Sequence, residues 1–71
     1  MSTAPYIEPA ISFEDATAII AAVTAKTNEV ITEVRLGEYG PEVQTGRVYG
    51  HVWQVRKGKS GWKVLYGHQW C

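Results

Sequence analysis

The sequence predicts an α+β domain, one N-terminal helix packed on a three- or four-stranded antiparallel sheet. Three observations carry this. Apolar residues recur at helical spacing across positions 13 to 27, and from Val30 the period becomes two. Two β-branched and aromatic stretches, 47–56 and 62–70, then flank a short polar loop that carries glycine. A chain of 71 residues makes one domain, near the lower size at which burial suffices without disulfides or a metal. Its apolar share of 45% at zero net charge is too high for a disordered chain, so it should fold.

Residues 1–11 read as a flexible arm ahead of a single domain at 12–71. Pro5 and Pro9 each remove an amide donor and bias the preceding residue to extended geometry, while Tyr6, Ile7 and Ile11 supply apolar anchors. A basic segment followed by an apolar one is missing from the start, and no apolar run is long enough for a bilayer. Cys71 is the only cysteine, which excludes an internal disulfide and a cysteine-based zinc site. A cytoplasmic, monomeric protein without contact to a membrane is the resulting expectation.

Ser12-Phe13-Glu14-Asp15 opens the helix, with a hydroxyl at the N-cap and two acids at the positive end of the helix dipole. Phe13, Ala16, Ile20 and Val23, with Ile19 beside them, form the expected apolar face. Asn28 is suited to a left-handed terminus, which places the end near 26–28. Val30, Thr32, Val34 and Leu36 alternate with Ile31, Glu33 and Arg35 as a half-buried strand. Gly37-Glu38-Tyr39-Gly40-Pro41 turns the chain before a short extended Glu42–Thr45, and Gly46 breaks it.

The C-terminal hairpin contains a repeat, VYGHVW at 48–53 and LYGHQW at 65–70. A four-residue loop at 57–60 would set Val55 opposite Trp62, Trp53 opposite Val64, His51 opposite Tyr66, Tyr49 opposite His68 and Arg47 opposite Trp70. The reverse face would then pair Gly50 with Gly67, a bare strip bordered by Val52 and Leu65 on which a partner could dock. A three-residue loop would slide this register, so it stays open.

All seven acids lie in residues 1–42, against Lys26 and Arg35, a net of −5; residues 43–71 carry five bases and no acid. Such a split implies either internal pairing of the halves or a basic surface that meets an acidic partner. His51 and His68 find no carboxylate in their own patch by this register, so no metal and no other cofactor is expected, and hydrogen bonding to tyrosine is the simpler role for the histidines. Gly58-Lys59-Ser60 lacks the upstream glycine of a phosphate-binding loop, and no catalytic constellation is present, so the chain does not read as an enzyme. A nucleic-acid surface built from the basic, aromatic hairpin is one reading. The preferred one is a protein-binding regulator that contacts a larger protein through Tyr6 and Ile7 of the arm and Arg47, Arg56, Lys57, Lys59 and Lys63.

Ile11-Ser12-Phe13-Glu14-Asp15-Ala16, followed by the strands, resembles the helix opening and meander of the PepSY domain, which implies a fold only. In size and organisation the whole chain also resembles the small host-takeover proteins of tailed phages, a class that includes the RNA-polymerase-binding inhibitor and antiterminator type of a Xanthomonas phage. That resemblance implies binding to host RNA polymerase, inhibition of promoter use and altered termination, all by contact, in the host cytoplasm.

Overall fold

The computed structural model describes residues 4–69, the side chain of Tyr66 excepted. The class is α+β, as the sequence predicts, but the sheet has five strands and is mixed. Its elements are β1 (Tyr6–Ile7), α1 (Phe13–Lys26), β2 (Ile31–Gly37), β3 (Gly40–Thr45), β4 (His51–Gly58) and β5 (Gly61–Gln69), with the strands side by side in chain order. The arm supplies the additional strand. Tyr6 and Ile7 lie parallel to β2 opposite Glu33 and Val34, and the Glu8 amide donates to the Val34 carbonyl at 2.9 Å.

Helix α1 starts as its capping residues require, the Asp15 amide donating to Ser12 Oγ at 3.1 Å. It ends differently from expectation. Thr27 is extended, its amide still donates to the Val23 carbonyl at 3.0 Å, and its hydroxyl accepts from the Glu29 amide at 3.2 Å. This side-chain turn closes the helix, and Asn28 is not left-handed.

Ala16, Ile19 and Val23 of the helix meet Val34, Val43 and Val55 of the three middle strands, with Ile11 below them. Burying each of these isoleucine and valine side chains is worth about 2 kcal/mol, and Ile7, Ile20, Ile31, Trp53, Trp62 and Val64 extend the same core. Phe13 does not join the helix face predicted for it. As the first helical residue it projects past the sheet, 88% exposed.

Both hairpins turn through two residues between glycines, Glu38-Tyr39 between Gly37 and Gly40, Lys59-Ser60 between Gly58 and Gly61. Gly40 and Gly61 close these turns at φ of +112° and +122°, values that side-chain-bearing residues rarely adopt. The stretch 47–50, expected to be strand, is a loop. Gly46, at φ +87°, folds back so closely on the Tyr49 carbonyl that a β-carbon would not fit. Arg47, Val48 and Tyr49 therefore stand exposed outside the sheet.

The hairpin register also differs from the expected one. Near the tip Arg56 faces Lys63 and Lys57 faces Trp62; beyond a bulge at Leu65, Gln54 faces Tyr66, Trp53 faces Gly67 and Val52 faces His68. One extra residue reverses which faces meet along the rest of the strand. The loop has two residues where four were expected, which moves every pairing by two positions, and the bulge moves those beyond it by one more. The expected oppositions of Tyr49 with His68 and His51 with Tyr66 are therefore absent, and that of Arg47 with Trp70 lies outside the described residues.

Candidate functional site

At the base of the sheet four side chains from three segments converge. Thr45 ends β3 fully buried, and its hydroxyl donates to Glu29 Oε1 at 2.5 Å while accepting from Trp53 Nε1 at 3.0 Å. His51 Nδ1 stands 3.0 Å from both Glu29 carboxylate oxygens, and its ring lies 5.3 Å from that of Trp53, tilted by 42°. The Thr45 hydroxyl, and after it the His51 imidazole, hold the Glu29 carboxyl below the ordinary glutamate value.

This corrects the expectation that His51 lacks a neighbouring carboxylate. Glu29 sits 22 residues earlier in the chain, in the turn after α1, and only the docking of that turn on β3 and β4 brings it there. The available signal was a lone acid in the helix-to-strand turn. Chemically the arrangement fixes the imidazole through Nδ1, but Thr45 has no exposure to a substrate, and no cluster of three metal-ligating side chains exists among the described residues. Its physical work is to tie the α1–β2 turn to the strands.

The open face of the sheet carries a second polar group. Arg35 Nη1 donates to Gln44 Oε1 at 2.9 Å and lies 3.5 Å from Glu33, while its Nε lies 3.4 Å from Glu42. Gln54 Nε2 completes the row by donating to Glu42 Oε2 at 2.6 Å. Toward the tip of β4–β5 the pattern changes. Arg56 and Lys63 are exposed, directly opposite one another and on this same face, with Lys59 in the adjoining turn. Among the described residues none of the three forms an ion pair. Lys57 points to the helix side and reaches Asp15 at 3.8 Å, an exposed contact of little strength.

The residues predicted to bind a partner therefore divide. Arg56 and Lys63 share the open face at the β4–β5 tip with Lys59 in the adjoining turn, Lys57 faces the helix side, and Arg47 lies at the other end of β4, in the β3–β4 loop. Tyr6 and Ile7 are on β1, at the opposite edge of the sheet, where Tyr6 is exposed and Ile7 packs on the core. The Gly50–Gly67 opposition on which the expected docking strip was built is absent. Gly50 is buried in the β3–β4 loop, Val52 is buried, and Leu65 is the half-exposed bulge residue. Gly67 faces the Trp53 indole so closely that a β-carbon there would come within 2.6 Å of the ring.

Among the described residues, no helix is long and apolar enough to cross a membrane. Family models, curated proteins and solved structures yield no match to this chain.

Proposed function

We propose that the chain is a non-enzymatic regulator that acts by surface contact with a larger protein, the tip of the β4–β5 hairpin being its contact element. The observation that carries this reading is the Arg56–Lys63 opposition. Like charges directly across a strand pair disfavour the free sheet, whereas an acidic protein surface turns both into attraction and steers the encounter. The resemblance to phage host-takeover proteins makes bacterial RNA polymerase the first partner to test, with promoter inhibition and antitermination as the effects. Nucleic acid, the other polyanion, is disfavoured because base stacking needs free aromatic faces beside the charges, and the Trp53 and Trp62 of this hairpin pack on the core while the exposed Tyr39 and Tyr49 sit in other turns.

The test is affinity capture from a nuclease-treated bacterial lysate, comparing the native chain with the Arg56→Glu, Lys59→Glu, Lys63→Glu triple variant. A stoichiometric complex with a larger protein, lost in the variant, is expected. Equal capture by the variant, or retention of nucleic acid alone with a steep salt dependence, refutes the reading.

A further inference from the structure

Strand β5 ends the sheet. It pairs with β4 on one side, and along Gly61–Gln69 no other described strand lies beside it. The two surfaces flanking this edge differ. On the helix side, Trp62 and Val64 face the stretch of α1 that carries Ala22 and Ala25, whose small side chains leave a groove of about 440 Å³ bordered by Lys26 and Lys63. On the open side, Lys63 stands opposite Arg56. Side chains of an extended segment alternate between faces. One strand laid along β5 would thus place every second side chain in the apolar groove and the others beside Lys63.

We propose that the β5 edge, at residues 61–64, is a strand-addition site for an extended segment of a partner protein in which acidic and apolar residues alternate. The proposal rests on the protein-contact reading above and names how that contact is made. Main-chain hydrogen bonds to β5 supply affinity, and the two faces supply selectivity. The bulge at Leu65 interrupts regular pairing and confines the site to the tip side of the strand, where the groove and the charges coincide. A second copy of this chain is the wrong occupant, because residues 43–71 hold five bases and no acid, so joining two β5 edges would bring the basic hairpins together.

The experiment titrates the isotopically labelled full chain with a capped peptide, Glu-Val-Glu-Leu-Glu-Val-Glu. Two controls accompany it: a counterpart with lysine for glutamate, and a fully N-methylated form that cannot donate main-chain hydrogen bonds. The acidic peptide is expected to shift the amides of residues 61–64 and slow their hydrogen exchange, with no such effect from either control. Ala25→Trp, which fills the groove, and the Arg56→Glu, Lys63→Glu pair are each expected to weaken binding about tenfold or more, and the charge pair to gain affinity for the lysine peptide. The proposal is overturned by absence of binding, by equal binding of the N-methylated peptide, by shifts confined to a second groove, lined by Ile7, Ile11 and Phe13, or by dimerisation of the free chain through β5. Charge-dependent binding without protection of 61–64 removes the edge site and leaves the basic-tip reading standing. Protection of 61–64 with no larger protein captured from lysate upholds the edge site and removes the regulator reading.

Discussion

The β2–β3 and β4–β5 hairpins share a turn design and diverge in what surrounds their charges. On β2–β3, Arg35 is held between Glu33, Glu42 and Gln44, so its charge is satisfied within the sheet. On β4–β5, Arg56 meets Lys63, and Lys59 adds a third positive charge at the turn. The acidic half of the chain thus spends part of its charge on itself, while the tip of the basic half projects outward. The same hairpin is instead secured from its other end, where Trp53 covers Gly67 and joins the Thr45, Glu29 and His51 network. One hairpin is stabilised by its own side-chain row; the other is anchored at the base and leaves the charges of Arg56, Lys59 and Lys63 at its tip exposed.

The comparison breaks most sharply at the anchor. Gly67→Val would drive a side chain into the Trp53 indole and should cost about 2 kcal/mol, measured as a lower denaturation midpoint with Trp53 displaced from the core. Close behind, Thr45→Val removes both the acceptor of the Trp53 N–H and the donor to Glu29, at about the same volume. A loss of 1–2 kcal/mol, roughly, is expected from the groups left unpaired, read by urea unfolding.

A smaller effect concerns acid. The Glu29 carboxyl titrates lower in the folded chain than in the unfolded one, so its contribution is present above the ordinary glutamate range and is lost as pH falls through the lower folded value. Glu29→Gln should flatten that part of the stability–pH curve in thermal melts. Flattening by Arg35→Met instead would place the acid sensitivity in the other hairpin.

The smallest effect sharpens the contrast most. Lys63→Glu converts a like-charge opposition into an attractive pair with Arg56 and should stabilise the free domain by about 0.5 kcal/mol while weakening the proposed partner contact. Destabilisation by that substitution would show that the opposition carries no strain.

Much of the fold was legible because it follows from local rules. Ser12 caps the helix whatever lies beyond it, Val34 alternates with its neighbours, and glycines mark both hairpin turns. The inward placement of Trp53, Val55, Trp62 and Val64 also follows from alternation near the hairpin tip. The cluster around His51 was not legible in this way, because Glu29 reaches it through a turn whose docking depends on the whole helix–sheet interface. The seven residues proposed for contact carried suitable chemistry, but sequence proximity does not reveal that Tyr6 and Lys63 occupy opposite edges of one sheet.

By itself the sequence determined the class, the helix and its cap, the two glycine-bounded turns and the separation of charge between the halves of the chain, since each depends on neighbours within a few positions. The tertiary structure alone decided the strand register, the bulge at Leu65, the pairing of Glu29 with His51 and the isolation of the basic tip. Those outcomes depend on how side chains far apart in the chain fill space and satisfy polar groups together. The two Tyr-Gly-His segments do not face one another, because a two-residue turn in place of a four-residue loop moves β5 by two positions, the bulge at Leu65 moves it by one more, and Tyr49 and Gly50 lie in the β3–β4 loop outside the sheet.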